Sequence, residues 1–526
     1  MAIRHYVLLA TDGFIKLPTT PVLCPSPDTL KDVYVFGFVG GLFKVDGRVI
    51  DPTLDWTVPA NWPALKAKTG TATIPSPLIW AEVGDHLYIT LINLGMPSSG
   101  LMDFHTVHMH GAHVPTQIDG FPESSFGVPM WVNFEAIPPA ATYFFQPEHP
   151  GTLMYHCHIE ASEHVQMGMY GALVIYPSMQ SLSDAGITRS KSGCWLLHGK
   201  AQPQIPVTAT NRNFAYNDIN TFFDREYVML LSDLDSVWHE SVLLGTGFNA
   251  VNFKPDYWLV NGRAFPDTLR PHPQTPSPDS DPNLTQLTYD SYVHVKTGVM
   301  FLLRMINMGY QVVPWHIHGW HFAVVGKDSN PSPFLKMNSH LGYMEMQHDG
   351  LERGFTATIG SGETYDLLLM AEDKRPAYRR YIVKGQDGLP SFCAQMRAIQ
   401  KVDPDAIFDI PTEPVECPDP SLINVIDICD QPPCDPNDRF FPQFYPMHNH
   451  DDYKVTNNGV YPGGQLTMIQ TDAPDHEHHL HESPSPRPMA QSTGKTTAGF
   501  IPQSSSTKSY STNSFAHNTA YRREKS

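Results

Sequence analysis

Four pairs of histidines, each split by one residue, are the first chemistry visible in the chain: His108-Met-His110, His156-Cys-His158, His316-Ile-His318 and His448-Asn-His450. With 26 histidines in 526 residues, chance placement gives about one such pair; the sequence has six. The other two fall in His476-Glu-His478-His479-Leu-His481, a low-complexity stretch set aside here. On a strand, residues i and i+2 point to the same side, so each pair aims two imidazoles at one spot. In His156-Cys157-His158 the cysteine points the opposite way, and one strand can feed two metal centres on its two faces. Imidazole with thiolate favours copper, zinc or iron over magnesium or calcium.

The richest segment runs from Tyr155 through His156, Cys157 and His158 to His164 and Met169. Upstream of it lies Phe104-His105-Thr-Val-His108-Met-His110-Gly111. Two histidines and a cysteine with a distant axial methionine describe an electron-transfer copper site. His105, Cys157, His164 and Met169 supply such a set, and a thiolate ligand accounts for the odd count of seven cysteines. Glu160 and Glu163, in the loop to His164, favour a cationic or metal-ion reductant by attraction. Asp451 and Asp452 abut His450; O2 reduction consumes protons, and Asp451 is the candidate carboxylate to relay them.

This pattern resembles the multicopper oxidases: laccases, ascorbate oxidase and ceruloplasmin. The resemblance implies four coppers per chain (one type 1, one type 2 and two type 3), with a small electron donor oxidised at type 1 and O2 reduced to water at the three-copper cluster. By position, His105, Cys157, His164 and Met169 fall on type 1 ligands. His108 and His316 fall on type 2 ligands; His110, His156, His158, His318, His448 and His450 fall on type 3 ligands. His164 is then the electron entry, and Cys157 the link onward through His156 and His158. The loop Ile159–Glu163 has five residues where the family usually has three. That leans toward copper nitrite reductases, whose Gly-Met-x-Gly ending is similar to Gly168-Met-Tyr-Gly171. A nitrite reductase, with one type 2 copper held by three histidines, and a copper-binding or electron-carrying protein without turnover are the alternatives. Phenols, Fe(II), Mn(II) and Cu(I) all remain open as donors.

The halves of the chain repeat each other. Gly84-Asp-His-Leu-Tyr-Ile-Thr-Leu-Ile-Asn-Leu-Gly95 precedes the first histidine cluster, and Gly298-Val-Met-Phe-Leu-Leu-Arg-Met-Ile-Asn-Met-Gly309 the second. The second copy has Val313 where the first has His105, and His448-Asn-His450 where the first has His-Cys-His. One type 1 site, in the first copy, is the expectation. The resemblance then points to two-domain oxidases that assemble as homotrimers, with each cluster between domain 1 of one chain and domain 2 of the next. His448-Asn-His450 lies far downstream of His318, so an insertion must carry the chain away and back.

Short alternating strands with Gly/Pro turns must position these groups. Proline is 48 of 526, about 9%, nearly twice the usual share, and only 17% of residues are charged. Both suit a loop-rich all-β chain: two cupredoxin-like Greek-key β-barrels over residues 30–180 and 221–471, joined by 178–220. A Pro- and Asp-rich insertion falls at 403–438, a loop at 271–282, and a disordered tail at 472–526. The net charge of −18 argues against a nucleic-acid partner, and no apolar run approaches a membrane span. Tyr6-Val-Leu-Leu-Ala10 is too short for the apolar region of a signal peptide, although the resemblance implies a periplasmic or extracellular protein. Besides Cys157, the six cysteines Cys24, Cys194, Cys393, Cys417, Cys429 and Cys434 suit either disulfides or buried thiols.

Overall fold

The computed structural model describes residues 1–19, 30–270, 288–335, 352–374, 385, 387–403, 410–411, 422–423 and 443–472. The 271–282 loop, most of the 403–438 insertion, and everything after Asp472, including the His476–His481 run, lie outside the described residues. So do Cys24, Cys417, Cys429 and Cys434 and the side chain of Cys393. Cys157 and Cys194 are free thiols.

The first barrel is built from β1 (Ile3–Pro18), β2 (Leu30–Val45), β3 (Ile79–Glu82), β4 (His86–Asn93), β5 (His108–His110), β6 (Ala140–Phe145), β7 (Gly151–His156) and β8 (Tyr170–Tyr176). These form two sheets, ordered β2-β1-β4-β6 and β3-β8-β7-β5. The pairs β1–β4 and β3–β8 are parallel and the other pairs antiparallel. β1 pairs with both β2 and β4, so this barrel includes a strand ahead of residue 30. The Tyr6–Ala10 run is the buried middle of β1. Between the sheets lie Tyr6, Leu8, Phe36, Phe38, Leu87, Ile89, Tyr155 and Leu173.

The second barrel repeats the plan. It contains β9 (Arg225–Leu234), β10 (Tyr257–Val260), β11 (Val293–Lys296), β12 (Met300–Asn307), β13 (Val313–Ile317), β14 (Phe322–Lys327), β15 (Thr356–Ile359), β16 (Thr364–Met370), β17 (Gln443–Asn449) and β18 (Leu466–Asp472). The sheet orders are β10-β9-β12-β16-β14 and β11-β18-β17-β13-β15, and β9–β12 and β11–β18 are again the parallel pairs. Two cupredoxin-like Greek-key barrels result. The connection between them is not bare linker: Ile187–Arg189, Trp195–Leu197 and Lys200–Ala201 pair as a small sheet. Its own core includes Leu182, Trp195, Phe214 and Phe222.

The barrels pack directly on each other. β12 is buried on both faces, which is why its sequence is a continuous apolar run rather than an alternating one. Phe301, Leu303 and Met305 face the second core. Met300, Leu302 and Ile306 face a core shared with Trp80, Met154, Tyr170 and Val174 of the first barrel. Arg304 lies on that shared face. Its Nε donates to Glu226 Oε2 at 2.7 Å and its Nη1 to Thr152 Oγ1 at 3.0 Å, with Asp366 Oδ1 at 3.6 Å. No helix among the described residues is long and apolar enough to cross a membrane.

Candidate metal centres

The ends of β5 and β7 carry the first centre and the first histidine set on opposite sides. His108 pairs in register with His156. Met109 and Cys157 point inward and are buried, as strand alternation demands. Cys157 Sγ lies 3.4 Å from His164 Nδ1 and 3.7 Å from His105 Nδ1, and the three ligand atoms all lie within 4.8 Å of one another. His105, Cys157, His164 and Met169 are each 0% exposed. The Cys157 amide donates to the Met169 carbonyl at 3.0 Å, and the Met169 amide to the His164 carbonyl at 3.0 Å. The chain therefore brings three ligand atoms into one pocket, with the Met169 backbone bonded beside them.

Burial pushes the Cys157 thiol up to about 11 and His164 down to about 4, and it holds His105 well below the usual imidazole range. A thiolate between two neutral imidazoles is stable here only with a cation among them. The donor set of two nitrogens, one thiolate and a buried thioether fits copper.

The loop between His158 and Met169 is shaped by its glycines. A Cβ on Gly168, at φ +113°, would come within 2.5 Å of Ile74; one on Gly171, just past the loop in β8, would come within 2.6 Å of the Tyr155 hydroxyl. The Gly-Met-x-Gly ending thus has a packing cause. The second barrel holds the loop from outside. Tyr310 donates to the Ser162 carbonyl at 2.6 Å, Gln166 Nε2 donates to the Asp233 carbonyl at 3.1 Å, and His239 contacts the Tyr34 and Gln166 carbonyls. At the loop's outer edge Asp103 Oδ2 is 3.9 Å from His164 Nε2, and Glu160 and Glu163 gather at the same histidine.

On the other side of the strands, His108, His110, His156 and His158 form a quartet with ring centroids 5.1–5.8 Å apart. The second barrel builds the same object. His316 pairs with His448 in register, and His316, His318, His448 and His450 gather with centroids 4.8–5.6 Å apart. Four rings are fixed by Nδ1–H donation to backbone carbonyls: His108 to Asp119 at 2.8 Å, His156 to Cys157 at 2.8 Å, His316 to Phe355 at 2.7 Å and His448 to Asn449 at 2.9 Å. This leaves Nε2 as the free lone pair, the usual arrangement behind a metal-ligating imidazole. His318 Nε2 and His448 Nε2 are 3.1 Å apart. Two lone pairs at that distance require a proton or a metal ion between them. Among the described residues no ring contact or ligand group joins one quartet to the other.

Asp103, Asp119, Gln166 and His239 carry no signal of their own in the sequence; each meets its partner by tertiary contact. Asp451, the expected proton relay, has its carboxylate 2.8 Å from Lys454 Nζ. His113 and His321 are exposed and belong to neither quartet.

Residues 66–180 match the family model described as multicopper oxidase. Comparison with the curated proteins returns no match. Among solved structures the chain is similar to the blue copper oxidase from Nitrosomonas europaea, at 19% identity over 89% of this chain and 85% of that one, TM-score 0.47. It is also similar to the multicopper oxidase mgLAC, at 18% identity over 90% and 89%, TM-score 0.46. A third is the copper nitrite reductase from Nitrosomonas europaea, at 13% identity over 89% and 93%, TM-score 0.39. The stretch that matches the multicopper oxidase model, residues 66–180, contains the buried cysteine site and the whole of the first histidine quartet.

Proposed function

We propose that the protein couples one-electron oxidation of a small donor to four-electron reduction of O2 to water. His105, Cys157, His164 and Met169 would hold a type 1 copper. The eight quartet histidines, His108 and His316 as type 2 ligands and His110, His156, His158, His318, His448 and His450 as type 3 ligands, would hold a three-copper cluster. Bound copper supplies the one-electron chemistry at the first set and the reduction of O2 at the second.

The observation that carries this reading is the placement of Cys157. Its sulfur faces the buried pocket, while its chain neighbours His156 and His158 face the quartet, so one residue of backbone joins the two centres. Cys157 and the neutral imidazoles supply donors, and the packed strands keep them in place. Each quartet provides four of the eight cluster ligands, and the two do not meet within the described residues. This supports a homotrimer in which the first quartet of one chain faces the second quartet of the next.

The donor edge is acidic. Burial, and then the neighbouring Glu160 carboxylate, raise the Asp103 carboxyl; Glu163 is raised first by burial and then by Glu160 and Asp103. An approaching cation relieves that repulsion, so the edge favours a cationic, metal-ion donor over a neutral phenol.

Copper counting with O2-uptake measurements tests the reading. Four coppers per chain and uptake with Fe(II) or a phenol are expected. Two coppers per chain would indicate the nitrite reductase alternative, and fully loaded protein without uptake would reject the oxidase.

A further inference from the structure

Backbone contacts around the first metal pocket recur in the second barrel, and they locate its counterpart there. Cys157 N donates to Met169 O, and Asn449 N to Gln465 O at 3.0 Å. Met169 N donates to His164 O, and Gln465 N to Lys454 O at 3.2 Å. His105 bridges Val128, and Val313 pairs with Ile359. The positions of His105, Cys157, His164 and Met169 are thus filled by Val313, Asn449, Lys454 and Gln465.

The polar side-chain atoms of the four are already engaged within the barrel. Val313 is apolar. Asn449 Nδ2 donates to Gln465 Oε1 at 2.8 Å, Asn449 Oδ1 accepts from the Asp451 amide at 3.0 Å, and Gln465 Nε2 donates to the Ser232 and Leu259 carbonyls at 3.1 Å. What remains is a cation carried by the chain itself. Lys454 is 2% exposed; its Nζ donates to the Val312 carbonyl at 2.9 Å and meets Asp451 Oδ2 at 2.8 Å. A buried ammonium persists only where it is paired, and here its two partners flank different strands. Val312 precedes β13, which leads to His316 and His318. Asp451 follows β17, directly after His450.

We propose that the Lys454 ammonium takes, in the second barrel, the place that a metal ion takes in the first, and that it is the positioning residue for the second quartet. It ties the His316/His318 strand to the His448/His450 arm. This rests on the proposed role of the quartet as a copper-binding set.

The test uses full-length protein carrying Lys454→Met, Lys454→Arg or Asp451→Asn, titrated with Cu(II) against a competing chelator. The blue absorption of the Cys157 site serves as an internal reference. Lys454→Met is expected to keep that band while copper affinity at the histidine cluster falls about tenfold or more, the scale of losing an orienting contact. Lys454→Arg should restore most of the loss, which a general folding defect would not allow. Asp451→Asn, at a half-exposed partner, should show a smaller loss in the same direction, and it decides the matter if Lys454→Met does not fold. Unchanged cluster affinity in a folded Lys454→Met, or in Asp451→Asn when that variant decides, overturns the proposal. If wild type takes copper only at the Cys157 site, the cluster reading fails by itself. Hydrogen exchange of residues 446–466 in copper-free protein then decides: faster exchange in Lys454→Met, restored in Lys454→Arg, supports the tie, and unchanged exchange overturns it.

Discussion

At the scale of single residues, burial sets the chemistry. Cys157 has no exposed surface and a thiol raised to about 11, so it needs a bound cation to ionise. Cys157→Ser is expected to remove the blue absorption and reduce donor oxidation to background. Copper at the histidine sets, read by metal analysis, should be largely retained, because the serine keeps the strand register. Carboxylates at the edge act differently, through attraction across water. Asp103→Asn combined with Glu160→Gln should raise KM for Fe(II) about three- to tenfold, flatten its dependence on ionic strength, and leave a neutral phenol nearly unchanged. Equal losses for both donors would speak against a cation-selective edge. Asp119 was not legible in the sequence, because its contact with His108 is made by a loop without a motif. The candidate ligands themselves were legible because their spacing is local.

At the scale of elements, the loop that carries His164 is held by another barrel. His239 lies on α1 (Ser236–Leu244) and is fully buried, with its two ring nitrogens at the Tyr34 and Gln166 carbonyls. Removing it in His239→Ala leaves buried polar groups without their partner, a cost of about 1–3 kcal/mol. Chemical denaturation should read that loss, and the blue band should shift or broaden as the His164 loop loosens. A variant with wild-type stability and spectrum would show that the clamp is idle. The five-residue loop read from sequence as a departure in length has, in the fold, a helix of the second barrel packed against it. Loop length was visible in the chain, but the partner that makes the length tolerable was not.

At the scale of the whole molecule, the barrels share a buried polar joint. Arg304 is fully buried against Glu226, Asp366 and Thr152, and the Tyr216 hydroxyl donates to Asp366 at 2.6 Å. Breaking a buried pair from one side strands the other charge, so Arg304→Met is expected to cost about 3–5 kcal/mol in a denaturant titration. Acid should act on the molecule as a whole. Burial holds His156 at about 3, and His164 and His239 at about 4, below the ordinary imidazole value of about 6.5. Below pH 6.5 the unfolded chain takes up protons that the folded one refuses. Stability of the copper-free protein is therefore full above pH 6.5 and is lost as pH falls toward 4. Thermal melts across that range check the sign, and stability rising toward pH 4 would contradict it. Copper affinity of the folded protein should fall only as pH nears 4 and below, where His164 and then His156 take up protons, since ligating imidazoles must be neutral. The proposed trimer predicts that sedimentation gives three chains per particle and that dilution to monomers strips the cluster copper before the copper at Cys157.

The amino-acid sequence by itself determined the candidate ligand types, the two faces of the His156-Cys157-His158 segment, the duplication of the barrel and the absence of a cysteine at the matching place in the second copy. All of these follow from spacing along a few residues, where strand alternation acts. Tertiary structure alone decided that His448-Asn449-His450 comes back to pair with His316, that Lys454 fills the second pocket, that His239 reaches the His164 loop, and that a barrel strand precedes residue 30. Those contacts join residues far apart in the chain. Their geometry depends on how two sheets close and how two barrels pack, and no local period records that.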